Sequence, residues 1–226
     1  MTFGQATKSG YFDQLLPPGT VIVEADVGMW DTGLLPIELP HVRYCVDKRR
    51  REFAAGRNCA RSALRALGFE ALPILVGMGR MPLFPAGISG SITHTDNYCA
   101  AAAVRTDGAL TIGIDAERDE PLEVDIWPLL MGDVEQVQMA RLRDVEVRNW
   151  ERLLFSAKEA FYKASFPLHR QFVDFRDVIV EVCPNDRSFL LHFVKPGLAA
   201  WSGKREFSGR YRFVDGLIVT ALTVRS

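Results

Sequence analysis

Between residues 149 and 166 apolar side chains return every three or four positions, at Leu153, Leu154, Ala157, Ala160, Phe161 and Ala164. That spacing predicts an amphipathic helix burying one stripe, with Lys158, Glu159 and Lys163 on its flanks. A second helix is predicted from about Asp47 to Leu67, ended by Gly68. On it Phe53, Ala60, Leu64 and Leu67 share one side, and Arg50, Arg57, Arg61 and Arg65 form an adjoining stripe. Alternation with period two predicts strands elsewhere. One runs from Val21 to Val27, and the run from Gly90 to Val104 reads as two strands joined at Asp96 and Asn97. A turn at Thr106, Asp107 and Gly108 then leads into Leu110 to Glu117, giving a three-stranded antiparallel meander.

Beyond a helix from Val134 to Arg141, strands are predicted at Phe175 to Val182 and at Phe189 to Val194. A hairpin of Phe207 to Phe213 and Leu217 to Thr223 turns at Val214, Asp215 and Gly216. Each half thus carries a long helix followed by an antiparallel meander. The expected fold is α+β, with two pseudo-duplicated halves, residues 1–117 and 118–226, packed sheet against sheet around a cleft.

At 226 residues the chain is long enough for a substantial core. A formal net charge of −1 gives no overall pull toward nucleic acid or a membrane surface, so an anion site must come from a local cluster of basic residues. The first residues lack the charged and apolar regions of a signal peptide and no window reaches membrane-spanning length, so a cytoplasmic protein is expected. Cys45, Cys59, Cys99 and Cys183 are widely spaced with no CxxC pair, as reduced thiols would be. No helical or strand spacing among His41, His94, His169 and His192 makes a zinc site.

The run from Lys48 to Arg51 puts positive charge in the first turn of a helix, where it opposes the macrodipole. Either it is a solvated basic face or a polyphosphorylated ligand compensates it. Asp115 and Glu117, two apart on an extended segment, point the same way and attract a hard cation such as Mg²⁺, although an isolated Asp-x-Glu is ordinarily a polar strand end. With two tight turns, Thr93 and His94 share the rim with that pair at two strand spacings, roughly 10 Å. Glu159 and Lys163, one turn apart, read by themselves as a surface ion pair. Phe161, Phe166, Leu168 and Phe172 suit either core packing or a partner-docking surface.

Taken together, Ile112-Gly-Ile-Asp-Ala-Glu117 and Phe155-Ser-Ala-Lys-Glu-Ala-Phe-Tyr-Lys163 resemble the signatures of the 4′-phosphopantetheinyl transferases. The likeness is to the large, two-half, surfactin and enterobactin type. The stretch from Lys48 to Arg61 and the run Gly90-Ser-Ile-Thr-His94 agree, so that the likeness spans roughly residues 45 to 170. The resemblance implies transfer of the 4′-phosphopantetheine of coenzyme A to a serine of apo carrier proteins, with release of adenosine 3′,5′-bisphosphate. Those carriers are the acyl, peptidyl or aryl carriers of polyketide, nonribosomal peptide, siderophore or fatty acid synthesis.

The same resemblance implies that Asp115, Glu117 and Glu159 bind Mg²⁺, with Mn²⁺ as a substitute, and that Glu159 is the general base. It implies that Lys163 neutralises or protonates the departing phosphate and that Lys158 holds the diphosphate. Arg49, Arg57, Thr93 and His94 fall on the adenosine 3′-phosphate side, although helical geometry puts Arg50 rather than Arg49 on the stripe with Arg57. Some relatives carry lysines where this chain has residues 76–79, and Arg80 is the candidate replacement. A monomer acting on coenzyme A and carrier proteins is expected. A catalytically silent coenzyme A binding protein and a Mg²⁺-dependent diphosphate hydrolase are the alternatives.

Overall fold

The computed structural model describes residues 10–70, 72–106, 110–194 and 206–225. Strand β1 (Val21–Glu24) and helix α1 (Asp47–Ala66) are followed by a small ribbon, β2 (Leu75–Val76) with β3 (Pro82–Leu83). Strands β4 (Ile88–Thr95), β5 (Tyr98–Arg105) and β6 (Leu110–Arg118) come next, then α2 (Trp127–Leu130), α3 (Asp133–Val145) and α4 (Trp150–His169). The chain ends in β7 (Val178–Cys183), β8 (Ser188–Phe193), β9 (Glu206–Val214) and β10 (Leu217–Arg225). The α+β architecture expected from the sequence is present, with a long helix packed on an antiparallel sheet in each half. Two predicted hairpins are there as well. Thr95 pairs with Tyr98 across Asp96 and Asn97, with Asn97 at positive φ, and Val214 pairs with Leu217 across Asp215 and Gly216, which both have the positive φ of a tight primed turn.

The layers run helix, sheet, sheet, helix. Helix α1 lays Cys59, Ala60, Ala63 and Leu64 on Ala101 and Ala103 of β5. The alternate residues Ala100 and Ala102 face the other way, toward Ile112 and Ile114 of β6, Val219 and Ala221 of β10, and Phe12. A strand pressed on both faces must keep its side chains small, which explains four consecutive alanines. The far face of the larger sheet packs on Leu153, Ala157, Ala160 and Phe161 of α4, together with Met139 and Leu142 of α3. Each large apolar side chain fully buried there contributes about 1.5–3 kcal/mol.

One expected element is corrected. The three-stranded meander does not form: β4 and β5 make a hairpin in a sheet of order β1-β5-β4, whereas β6 pairs with β10 at the edge of the sheet β6-β10-β9-β8-β7. Residues 107 and 108 of the expected turn lie outside the described residues. The facing edges of the two sheets are joined by side chains. Ser89, Ser91 and Thr93 of β4 accept the backbone N–H groups of Ile112, Ile114 and Ala116 of β6 at 3.0, 3.1 and 2.9 Å. Hydroxyls at period two thus satisfy buried amides that an edge strand would otherwise leave unpaired.

Helix α4 also runs on past the expected end at Phe166 to His169, carrying Pro167 in its last turn, and is closed by Arg170 in the left-handed conformation. A proline there forfeits one late amide bond without breaking the turns before it.

Candidate active site

The hydroxyl ladder brings Thr93 to Asp115 directly: Thr93 Oγ1 donates to Asp115 Oδ1 at 3.2 Å while accepting Ala116 N–H. The separation of two strand spacings expected from the sequence is therefore replaced by contact, because β6 lies against β4 rather than beyond β5.

From the opposite side α4 comes down on β6 at Gly113. A Cβ added there would lie far inside contact distance of the Ala160 carbonyl oxygen, so only glycine admits the helix. Thr111 Oγ1 donates to Ala164 O at 2.6 Å, and Ser156 Oγ shares a hydrogen bond with Thr220 Oγ1 at 2.8 Å. This close seating lets Lys163 reach Asp115, with Nζ donating to Oδ1 at 2.6 Å.

A cleft of about 380 Å³ results, lined by Arg49, Arg57, Arg80, Thr93, His94, Asp115, Glu117, Glu159 and Lys163. Nine residues singled out from the sequence thus share one cavity. Phe155, Tyr162 and Phe166 of α4 and Ser91 of β4 also line it. Of these, Phe166 was expected only as an apolar packing or docking residue, and Phe155, Tyr162 and Ser91 were not singled out, although Ser91 stands at period two with Thr93 and carries that signal.

Lys158 is not brought to this cleft. Its ammonium is buried and donates to Leu130 O at 2.8 Å, Glu135 Oε2 at 3.0 Å and Phe175 O at 2.8 Å, which uses all three of its donors. It ties α4 to α3 and to the segment before β7. Lys158 also borders a second cavity, of about 250 Å³, that shares Glu159 and Tyr162 with the cleft and is otherwise lined mainly by Phe161, Phe172, Val173 and Phe175. Of the four apolar candidates for partner docking, Phe161 and Phe166 are buried, Leu168 is partly buried and Phe172 is 76% exposed.

Arg49, not Arg50, faces the cleft. Arg49 Nη1 lies 2.7 Å from His94 Nε2, and because a guanidinium only donates, His94 must accept there as a neutral ring. Burial holds the His94 pKa down, aided by the charges of Arg49 and Lys163 and opposed by Glu52 and Asp115. Arg50 is exposed and lines a separate groove with Pro36, Leu39 and Arg43.

The acidic wall is strained electrostatically. Burial, and after it the charge of Asp115, pushes Glu117 up to about 7, while Arg152 and Lys163 oppose the rise and Glu159 adds to it. Burial also raises Glu159, with Asp115 contributing. Lys163 is raised although burial alone would lower it, because Asp115, Glu159 and Glu117 outweigh desolvation. Arg152 donates to Glu117 Oε2 at 3.3 Å, a contact the sequence did not bring to notice.

Asp115 Oδ2 is buried without a hydrogen-bond partner. An orphaned carboxylate oxygen beside two carboxylates that resist ionisation fits the binding of a cation. Among the described residues no three His, Cys, Asp or Glu side chains already form a metal cage. Mg²⁺ asks for less than that, since it typically takes one or two carboxylates and completes its octahedron with water and substrate phosphates.

Guanidinium groups of Arg49, Arg57 and Arg80, with the Lys163 ammonium set among the carboxylates, give the cleft the charges that suit a phosphorylated substrate. A family model for the 4′-phosphopantetheinyl transferase N-terminal domain matches residues 38–104, and one for the 4′-phosphopantetheinyl transferase superfamily matches residues 111–213. The 4′-phosphopantetheinyl transferase Svp of Streptomyces mobaraensis is 38% identical over 194 residues, covering 84% of this chain and 78% of the relative. PptT of Mycobacterium tuberculosis, of the same description, is 35% identical over 195 residues, with 84% and 86% covered. Npt of Nocardia iowensis, again of that description, is 33% identical over 221 residues, with 93% and 98% covered. The chain belongs to the 4′-phosphopantetheinyl transferases. It is an enzyme that transfers the phosphopantetheine group of coenzyme A to carrier proteins.

Proposed function

We propose that the cleft binds coenzyme A with its 3′-phosphate at Arg49, Arg57, Thr93 and His94 and its diphosphate between Arg80, Lys163 and the acidic wall. The serine hydroxyl of an apo carrier protein, an acyl, peptidyl or aryl carrier, then attacks the phosphorus that bears the pantetheine arm. The new bond is serine oxygen to phosphorus, and the bond to the bridging diphosphate oxygen breaks, so adenosine 3′,5′-bisphosphate leaves with the electron pair. Glu159 takes the serine proton. Glu159 is the carboxylate of α4 that lines the cleft one turn from Lys163, within reach of a hydroxyl brought there. Lys163, held by Asp115, offers its ammonium to the charge that builds on the leaving phosphate.

Asp115, Glu117 and Glu159 would hold Mg²⁺, or Mn²⁺ in its place, and that ion when bound supplies Lewis-acid neutralisation of the diphosphate. The observation that carries this reading is the partnerless Asp115 Oδ2 beside two carboxylates of raised pKa.

Residues 1–117 are proposed to supply the 3′-phosphate side and the strand-end acids, and residues 118–226 the base and the lysine. By pairing, β6 itself lies in the larger sheet. Among the described residues no helix is long and apolar enough to cross a membrane. The working form is proposed to be a cytoplasmic monomer.

Incubation with coenzyme A, Mg²⁺ and a panel of apo carrier proteins is expected to add the mass of one phosphopantetheine to a carrier. Glu159→Gln is expected to fold and bind coenzyme A while transfer falls by about 10²-fold or more. Absence of any mass gain across acyl, peptidyl and aryl carriers would overturn the proposal, as would near wild-type turnover by the variant.

A further inference from the structure

Arg57 is a buried guanidinium on the cleft wall, and its placement depends on a second buried charge that does not line the cleft. Glu38, fully buried, accepts Arg61 Nη1 with both carboxylate oxygens at 2.7 Å. Its Oε2 also takes Leu35 N–H at 2.9 Å, and its Oε1 takes Ile74 N–H at 2.9 Å. Ile74 is thereby pinned by its amide, and its side chain is buried against α1. Its carbonyl in turn accepts Arg57 Nε at 2.9 Å.

The other face of the Arg57 guanidinium lies 3.9 Å from the centre of the Phe53 ring, where a cation is attracted to the aromatic face. With Nε committed to Ile74 and one face to Phe53, the two Nη groups keep one orientation, and they make no other hydrogen bond among the described residues. That pair is the edge a phosphate takes in a two-point contact. Electrostatics point the same way. Burial draws the Arg57 pKa down to about 10, and the Glu38 carboxylate is the largest influence holding it up.

We propose that Glu38 is a positioning residue for recognition of the coenzyme's 3′-phosphate, fixing the direction of Arg57 through the backbone of Ile74. Arg61 serves the same device by locking Glu38, and is held in place by Asn58 Oδ1 at 2.8 Å and by the Gly33 carbonyl. The chain from carboxylate to phosphate joins the segment before α1, the segment before β2 and α1 itself, so a change at any of them alters how the phosphate is met. The inference rests on Arg57 being a 3′-phosphate contact.

The test compares binding of coenzyme A with binding of dephospho-coenzyme A, which lacks only the 3′-phosphate, by calorimetry. The proteins are the wild type, Arg57→Ala, Glu38→Gln and the double variant. Wild type should prefer coenzyme A, and Arg57→Ala should lose about tenfold or more of that preference, the scale of a charge-assisted phosphate contact. Glu38→Gln should lose about three- to tenfold of the preference with affinity for dephospho-coenzyme A unchanged, and should add nothing once Arg57 is gone.

Equal weakening toward both ligands in Glu38→Gln would mark Glu38 as merely structural and overturn the inference. A wild-type preference retained in Arg57→Ala would overturn the assignment of Arg57, and the inference with it, so the two failures are distinguishable. Should Glu38→Gln fail to fold, Glu38→Asp carries the test: it keeps the charge but is one methylene too short to hold both Arg61 and Ile74, and the same loss of preference is expected.

Discussion

At His94 a single proton decides the character of one wall of the cleft. The ring sits between Arg49 and Glu52, with Nδ1 at 3.6 Å from Glu52 Oε2, and is neutral because burial and two nearby cations disfavour its charged form. Its pKa is thus lower in the folded protein than in the unfolded chain. The unfolded state therefore binds more protons as pH falls past the ordinary histidine value of 6.5, and stability declines with it, whereas above that value the contribution is fully present. Urea melts at pH 7.5 and 5.5 should show a loss for the wild type that is smaller in His94→Gln; an equal loss in both would place the sensitive group elsewhere. The neighbouring choice between Arg49 and Arg50 was not legible from helical geometry. A long arginine side chain swings off its own stripe toward a partner, and that partner, His94, lies 45 residues away in sequence.

Helix α4 and strand β6 carry Asp115, Glu117, Glu159 and Lys163, and their approach is set by one missing methyl group. Gly113→Ala would drive a Cβ into the Ala160 carbonyl, which is backbone and cannot rotate away. The expected outcome is about 3 kcal/mol or more of destabilisation, or a helix displaced enough to part Lys163 from Asp115 with transfer lost. Thermal unfolding and single-turnover transfer check both arms, and a variant with wild-type stability and rate would refute the close-seating account.

The two long helices and both hairpins were legible from period and turn residues alone, since those signals are local. The partner of β6 was not. Its true neighbour in the ladder, β10, lies about a hundred residues on, and its other edge is satisfied by hydroxyls rather than by a strand. Ser89, Ser91 and Thr93 at alternate positions of β4 were the available clue. Lys158 was equally deceptive: it adjoins Glu159 in sequence, yet the next position on a helix points about 100° away, here into a buried pair with Glu135.

Across the whole molecule the α-β-β-α layering serves to bring acids from distant parts of the chain to one place. Asp115 and Glu117 arrive on an edge strand of the larger sheet, Glu159 and Lys163 on the helix that covers it, and Arg49, Arg57 and His94 on α1 and β4 from the other half. Neither sheet alone could build the cleft, because its walls come from both. The account depends on a divalent cation being held jointly by those three carboxylates and by the coenzyme's diphosphate. Electron paramagnetic resonance of Mn²⁺ titrated into the protein tests this most directly. One ion per chain should bind weakly to the free wild-type protein and about tenfold or more tightly when coenzyme A is present, with that gain absent in Glu159→Gln. Binding of Mn²⁺ that is indifferent to coenzyme A, or unchanged by loss of the Glu159 charge, would contradict it.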